Sequence, residues 1–243
     1  MQKPLTNRFL GYYKGRVDFL QLKSIDLFSS MTDEEISLVS GSFSLKKFRK
    51  NDVILQEQDT NEFMYMILSG KVKVVQVTED GKETIIAFHK SGDFFGEMSL
   101  IDGKTVPATV VAIENSNVAI ISKKDFYTLL LVQNKFIVQL LRILCSRLRE
   151  AYERIQILSF NNAAQRIRML FIMLANMYGR EEDKGIRLDI KLTHQNIADM
   201  TGIARETVTR LVNRAQKDNE IFFEGKVIYL NPEYIRKDFD IKR

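Results

Sequence analysis

The chain has 243 residues, of which 45% are hydrophobic and 28% are charged, and its formal net charge is +5. This composition is typical of a globular protein with an apolar core, and the small positive charge allows a nucleic-acid partner without arguing for one. The single cysteine, Cys145, excludes internal disulfides and the cysteine-rich zinc or iron–sulfur sites, and it suits a reducing cytoplasm.

The start of the chain has no regular hydrophobic period, and we interpret residues 1–24 as an N-terminal extension. Neither this stretch nor a later one has an apolar run suited to a signal peptide or a transmembrane helix. We therefore expect a cytoplasmic protein with no membrane partner. The first clear helix start follows at Thr32, where Thr32 and Glu35 have the spacing of a capping box.

A strand-like pattern fills residues 43–121. Short runs with a hydrophobic period of two are separated by turns that contain glycine, such as Gly70 and Gly92. Many short strands at near-regular spacing are typical of an antiparallel sandwich or jelly roll. We therefore predict a β-rich domain over residues 25–133.

A long amphipathic helix is predicted next, and its apolar residues alternate at spacings of four and three, the pattern of a coiled-coil seam. The seam comprises Ile137, Leu141, Leu144, Leu148, Ala151 and Ile155. No second helix has a matching pattern and length, so we predict that the seam pairs with the same helix of a second copy. Residues 134–160 then form a dimerisation helix. Packing of the seam on the chain's own sheet is the alternative.

Cys145 lies beside this seam. A redox-sensitive cross-link between two copies is one interpretation of that position. A buried, unreactive thiol is the other, and it is the one we expect.

Two short helices joined by a tight turn are predicted within a second domain, residues 161–243. Thr193 is a suitable N-cap for the first helix, and Gly202 stands where the helix needs a left-handed exit. The second helix begins at about Ala204 and has apolar residues on one face. Its other face presents Arg205, Glu206, Thr207, Thr209, Arg210 and Arg214. This is the helix-turn-helix pattern, and an ordinary helical hairpin with a solvated charged face is the alternative.

A hairpin is predicted directly after these helices. Residues 221–223 and 227–230 are strand-like, and the Glu224-Gly225 turn lies between them. A strand hairpin in this place forms the wing of a winged helix-turn-helix.

Two segments of the sequence resemble one protein family. The turn from Ser91 to Gly103 reads SGDFFGEMSLIDG, and the second helix of the pair begins within GIARETVTR. With the order of the predicted domains, they resemble the Crp/Fnr family of bacterial transcription regulators, relatives of the cyclic AMP receptor protein. The resemblance covers about residues 25–230. It implies an α+β fold with an N-terminal cyclic-nucleotide-binding-type β-roll (jelly roll), a central dimerisation helix and a C-terminal winged helix-turn-helix.

The same resemblance implies a homodimer whose partners are double-stranded DNA and RNA polymerase. By resemblance, Arg205, Glu206 and Arg210 occupy the base-reading positions, at the helix end that enters the major groove. Arginine can donate a bidentate pair to guanine and glutamate can accept from a cytosine amine, each worth about 1–3 kcal/mol of discrimination. A palindromic site with TGTGA-like half-sites is expected. The positions that touch the phosphate backbone hold Thr193, His194, Ala204 and Thr207.

The effector-binding segment departs from the family pattern. Members that bind cyclic AMP end this segment in Arg-Ser/Thr-Ala, whereas this sequence has Val106-Pro107-Ala108. Valine cannot pair with a phosphate, and proline supplies neither a hydroxyl nor a backbone N–H donor. The adenine-contacting hydroxyl positions of the central helix hold Ala151 and Tyr152. We therefore do not expect ordinary cyclic AMP as the effector.

A remaining effector pocket is expected from Gly96, Glu97, Met98 and Tyr152. Glu97 can accept hydrogen bonds from a sugar or another polar effector, and Lys104 can supply a displaced cation. The alternative for Gly96 and Glu97 is a turn retained for folding.

Metal and catalytic sites are not predicted. Zinc and heme need more soft ligands than the two histidines, His89 and His194, although a single axial heme histidine stays open. The sequence has no Ser/His/Asp or Cys/His arrangement and no glycine-rich phosphate loop, so an enzyme is not expected. Two alternatives stay open: an effector-independent regulator controlled by its abundance, and a cyclic-nucleotide-type sensor without DNA binding.

Overall fold

The computed structural model describes residues 15–77, 83–225 and 227–236. The strands are β1 Gly15–Arg16, β2 Phe43–Phe48, β3 Val53–Leu55, β4 Phe63–Ser69, β5 Lys71–Val77, β6 Glu83–Lys90, β7 Phe94–Phe95, β8 Thr109–Ala112, β9 Ser116–Ser122, β10 Gly179–Glu182, β11 Gly185–Leu188, β12 Ile221–Glu224 and β13 Val227–Leu230. The helices are α1 Phe19–Lys23, α2 Asp33–Ser40, α3 Glu97–Asp102, α4 Lys123–Val132, α5 Asn134–Ser159, α6 Ala163–Tyr178, α7 His194–Thr201, α8 Arg205–Lys217 and α9 Pro232–Arg236.

The chain divides into two compact units, and the division falls within α5, between Ser146 and Arg147. The first unit contains two antiparallel sheets, one in the order β1-β2-β9-β4-β7 and the other in the order β3-β8-β5-β6. Strand β9 pairs with both β2 and β4, which lie much earlier in the chain. This confirms the predicted jelly-roll-type domain.

Strand β4 shows why these residues form a two-layered roll. Met64 and Met66 belong to one buried cluster, which also includes Phe136 of α5. Tyr65 and Ile67 belong to a second cluster with residues of the other sheet. Because successive strand residues point to opposite faces, the buried residues of β4 contribute to both layers.

The segment before α2 is part of the first unit. Strand β1 pairs with β2, with Gly15 opposite Leu45, and Val17 and Leu22 are buried in the first cluster. The expectation of an irregular extension through residue 24 is therefore wrong from residue 15 onward. Helix α1 has only five residues and buries only Leu22, so it leaves no periodic signal in the sequence. Residues 1–14 lie outside the described part of the chain.

The capping box of α2 is confirmed. The Thr32 N–H donates to Glu35 Oε2 at 2.7 Å, and the Glu35 N–H donates to Thr32 Oγ1 at 3.3 Å. Lys135 Nζ also donates to Glu35 Oε1 at 2.9 Å. The backbone hydrogen bond from Thr32, followed by the Lys135 ammonium, lowers the pKa of the Glu35 carboxyl from its ordinary value.

Helix α5 has 26 residues, close to the bounds predicted for the long helix. Its seam is largely uncovered in the single chain, because Leu141, Leu148 and Ile155 are 55%, 53% and 65% exposed. Leu144 packs partly against the core of the first unit. Leu141, Leu148 and Ile155 are instead exposed to solvent and are not covered by the sheet. Cys145 is exposed, so the expectation of a buried thiol is wrong.

The second unit contains α6 to α9 and a sheet in the order β10-β11-β13-β12. Helix α6 begins at its cap, Asn162, whose side chain accepts from the Ala164 N–H at 2.8 Å. The core of this unit is formed by buried residues that include Leu170, Phe171, Leu174, Ile197, Val208, Val212, Ile228 and Leu230.

Within the described residues, no single helix is long and apolar enough to cross a membrane. Helices α4 and α5 pass that test only when counted together, and they are bent by 109° at their junction.

Candidate nucleic-acid interface

Helices α7 and α8 form the predicted helix-turn-helix. Helix α7 begins at the cap Thr193, whose hydroxyl accepts from the Asn196 N–H at 3.1 Å, while the Thr193 N–H donates to Asn196 Oδ1 at 2.9 Å. Helix α7 ends at Gly202, which has a φ of 64°. A left-handed residue at this point turns the chain sharply into the second helix.

Two polar contacts link α7 to its neighbouring helices. Its His194 Nδ1 lies 2.9 Å from Thr209 Oγ1 of α8. Arg166 of α6 donates from Nη1 to the Thr201 carbonyl at the other end of α7, at 3.4 Å. On α8, Val208 and Val212 are fully buried, which turns the opposite face of this helix outward.

That outward face presents the three residues expected to read bases. Arg205, Glu206 and Arg210 are all exposed. No hydrogen bond or ion pair joins their side chains to another residue in the described part of the chain. The three side chains can therefore engage an external partner without first breaking an internal contact.

The start of α8 offers backbone donors. Its N-cap is Ala204, which has no side-chain oxygen, and no side chain caps this end. Unsatisfied N–H groups and the helix dipole make such an end suitable for an anion such as phosphate. Of the four residues expected to touch phosphates, Thr193 and Ala204 are exposed, and His194 and Thr207 are half-buried.

The wing is present as the β12–β13 hairpin, with Gly225 at a φ of 61° in its turn. Phe222 and Tyr229 stack across it with ring centroids 4.8 Å apart. The Tyr229 hydroxyl donates to Glu182 Oε2 at 3.2 Å, and Lys184 pairs with Glu224. These contacts attach the wing to the neighbouring β10–β11 hairpin.

The turn expected to bind an effector is held by its own side chains. Gly96 has a φ of +85°, and a Cβ there would lie 2.9 Å from the Tyr65 ring and 3.0 Å from the Phe63 carbonyl. The buried Asn61 amide donates to the Gly96 carbonyl at 3.0 Å and to Ser99 Oγ at 3.1 Å. This network favours the interpretation that Gly96 is retained for folding.

The other expected pocket residues are placed as follows. Glu97 is buried and Met98 exposed at the start of α3, whereas Tyr152 lies on α5 in the second unit and is 60% exposed. Lys104 has an exposed side chain. Gly96, Glu97 and Met98 are thus adjacent, and Tyr152 belongs to a different unit.

Val106 is the residue expected, from the family resemblance, to replace the arginine of cyclic-AMP-binding members. It is buried in the second cluster with Tyr65 and Phe95. Its N–H donates to the Asp59 carbonyl at 2.9 Å and its carbonyl accepts from the Gln58 N–H at 2.9 Å. An apolar side chain therefore fills this place.

His89 does not lie in a cluster of metal ligands. Its ring stacks on Phe95 at 6.4 Å, and its Nδ1 lies 3.7 Å from an Asp93 carboxylate oxygen. Across the residues that the structure describes, no three His, Cys, Asp or Glu side chains are grouped to hold a metal ion.

Comparison with known proteins agrees with this architecture. Residues 45–132 match the family model of the cyclic nucleotide-binding domain, and residues 165–237 match the Crp-like helix-turn-helix domain. The cAMP-activated global transcriptional regulator CRP of Pasteurella multocida is 31% identical over 186 residues, covering 76% of this chain and 88% of that protein. The chain belongs to the Crp/Fnr family of transcription regulators.

Other relatives extend the comparison over almost the whole chain. The anaerobic regulatory protein of Bacillus subtilis is 26% identical over 228 residues, 92% of this chain and 95% of that protein. The structure of a CooA mutant from Carboxydothermus hydrogenoformans superposes with a TM-score of 0.74 at 19% identity, covering 95% of this chain and 98% of that chain, which shows a shared fold.

Membership of the Crp/Fnr family makes this protein a DNA-binding transcription regulator with a cyclic-nucleotide-binding-type domain. Sequence reasoning did not assign two residues that support the sites. Asn61 is 35 residues from Gly96, and Thr209 is 15 residues from His194. Within the sequence, only the position of Thr209 on the polar face of α8 pointed to a role for this residue.

Proposed function

We propose that two copies of this Crp/Fnr regulator pair along α5 and bind a palindromic operator through the two α8 helices, without ordinary cyclic AMP. One observation supports this most directly: Arg205, Glu206 and Arg210 lie exposed at and near the start of α8, and their side chains have no hydrogen-bond or ion-pair partner among the described residues. In helix-turn-helix proteins this end of the second helix enters the major groove.

The charges of the three residues favour base contacts over backbone contacts. Arg205 and Arg210 can each donate a bidentate pair to guanine O6 and N7, and Glu206 can accept from a cytosine amine. A carboxylate facing phosphates would be repelled, so Glu206 between two arginines favours base reading. The proposed half-site has a G·C-rich core similar to TGTGA.

Four further residues would fix the register on the phosphate backbone. The Thr193 hydroxyl accepts from Asn196 and keeps its own proton to donate. Thr207 can donate a hydroxyl, Ala204 its backbone N–H, and His194 one ring N–H. These contacts would contribute affinity at every operator sequence.

Pairing along the seam is supported by its exposure on α5. Two recognition helices must lie about 34 Å apart, one turn of DNA, to read both half-sites. We assign residues 134–160 to dimerisation, 25–133 to the effector-type domain and 161–243 to DNA binding. RNA polymerase is the proposed protein partner, and the cytoplasm is the proposed location.

For the effector, we propose a small molecule other than cyclic AMP, bound near Gly96, Glu97 and Met98. The buried Val106 supplies no guanidinium for a cyclic phosphate. A ligand there can shift the helix spacing only by binding one arrangement more tightly. An effector-independent regulator is the second candidate, favoured by the self-contained turn at Gly96. Thermal-shift screening with metabolites separates them, because a selective ligand raises the melting temperature.

The operator is tested by selecting bound sequences from random DNA. We expect a palindrome with G·C pairs in each half, and Arg205→Ala should weaken binding by about 5- to 150-fold for each half-site and relax the preference at one pair per half-site. Arg49→Ala, which removes the same charge from an exposed position of the first unit, is the control. Unchanged sequence preference in Arg205→Ala would refute the base-reading assignment.

A further inference from the structure

A hydrogen bond joins His194 to Thr209. Which of the two side chains donates depends on where the Thr209 hydroxyl directs its own proton. Thr209 Oγ1 lies 2.9 Å from His194 Nδ1 and donates to the Arg205 carbonyl at 3.0 Å. A hydroxyl has a single proton, and a carbonyl oxygen can only accept. We infer that this proton is directed to the Arg205 carbonyl, so that Thr209 Oγ1 accepts from His194 and the ring nitrogen that donates is Nδ1.

We propose that Thr209 is a positioning residue that fixes this form of His194 and makes its phosphate contact depend on proton uptake. The proposal rests on the operator binding proposed above. A phosphate oxygen is an acceptor, and neutral His194 with a proton on Nδ1 has only a lone pair on Nε2. Only the imidazolium has the Nε2–H that can donate to the operator backbone.

The surroundings of His194 supply no other source of this dependence. The charged residues of α7 and of the helices packed against it, α6 and α8, are Asp199, Arg166, Arg168, Arg205, Glu206, Arg210, Arg214 and Lys217. The Asp199 carboxylate accepts from Gln195 at 2.7 Å. In the described part of the chain no carboxylate forms an ion pair with His194. The proton is therefore stabilised by the operator phosphate, and it is taken up on binding.

The consequence is an operator affinity that rises as the pH falls, because only the protonated ring donates to the operator backbone. Each protomer takes up at most one proton, so the affinity changes by at most about tenfold per pH unit per protomer. Binding is measured by fluorescence anisotropy of the selected operator between pH 5.5 and 8.5, at fixed ionic strength.

Three variants separate positioning from a general structural role. His194→Gln donates at every pH, so its binding should not change with pH in this range. Thr209→Val keeps the branched side-chain shape but removes the hydroxyl, so the neutral His194 ring can carry its proton on Nε2. The operator affinity of this variant should therefore depend less on pH, and the variant should still bind at pH 8. Thr209→Ser should restore the wild-type profile.

Nitrogen-15 NMR of the free protein checks the first step directly, because the Nδ1–H form has a distinct signature, which Thr209→Val should lose. A pH-independent wild type with selective binding overturns this proposal and leaves the proposed function intact. An unchanged profile in Thr209→Val also overturns it. Absence of selective binding at every pH refutes the proposed function and this inference with it. If Thr209→Val does not fold, the wild-type NMR form and the His194→Gln profile decide.

Discussion

The absence of a side chain at Gly96 is required for the turn before α3. Its φ of +85° is costly for any other residue, and an added Cβ would lie 2.9 Å from Tyr65. We expect Gly96→Ala to lower the free energy of unfolding by about 2–5 kcal/mol, from left-handed strain plus overpacking. Urea unfolding followed by circular dichroism measures this loss.

Gly103 is the matched control at the other end of α3. It has a similar φ of +71°, but nothing lies within 4 Å of the position of a Cβ. Gly103→Ala should therefore cost only the backbone strain, about 1–2 kcal/mol. Equal losses in the two variants would show that packing around Gly96 contributes nothing.

At this scale the sequence predicted residue types better than residue contacts. The exposure of Arg205, Glu206 and Arg210 follows from helical spacing, because Val208 and Val212 occupy the opposite face. The His194–Thr209 and Asn61–Gly96 hydrogen bonds could not be predicted, because each joins residues that only the tertiary fold brings together.

Among single elements, α2 provides a test of the capping box. The pKa of Glu35 is lowered by the Thr32 hydrogen bond and then by Lys135. A lowered folded-state pKa stabilises the fold at pH values above the unfolded pKa, near 4.5, and this stabilisation is lost as the pH falls through the folded value. Glu35→Gln should thus be less stable than wild type at pH 7, with a smaller acid-induced loss below pH 4.5.

Glu34→Gln is the control for that measurement. Glu34 lies in the same first turn of α2, and within the described residues its side chain has no hydrogen bond or ion pair. Thermal unfolding between pH 7 and 3 should therefore distinguish the two variants. Identical pH profiles for both would mean that the helix dipole alone, rather than the cap, accounts for the effect of Glu35.

The long helix was predicted from the sequence, whereas the short helices α1 and α3 were missed. Helix α5 repeats its apolar spacing over 26 residues, whereas α1 and α3 have five and six, too few for a period to stand out. Strand β10 is mostly exposed and polar. The order of strands in the sheets could not be predicted from local patterns either, because β2 and β4 pair with β9, which lies more than 45 residues later in the chain.

For the whole molecule, the exposed seam of α5 leads to a prediction about assembly. Leu148 is 53% exposed in the single chain, and in a paired seam it would face the same residue of the second copy. Leu148→Glu would bury two like charges there, so we expect monomers at concentrations where wild type is dimeric. Sedimentation velocity measures this change.

The control for assembly is Leu38→Glu. Leu38 is 81% exposed on α2 and lies outside the seam, so the same substitution should leave the dimer intact. A dimeric Leu148→Glu protein would show that the two copies pair through a surface other than the α5 seam.

Dimerisation and DNA binding are linked in a way that the same variant can reveal. A dimer contacts phosphates on both half-sites, and the slope of log affinity against log salt is proportional to the number of phosphates neutralised. Monomeric Leu148→Glu keeps α8 unchanged, so it should bind a single half-site with wild-type base preference and about half the salt slope. Arg205→Ala should instead remain a dimer and lose base preference. Together, the two variants would show that pairing of the two copies determines the affinity and that α8 determines the base preference. A Leu148→Glu protein that lost base preference as well would show that the orientation of α8 itself depends on the seam.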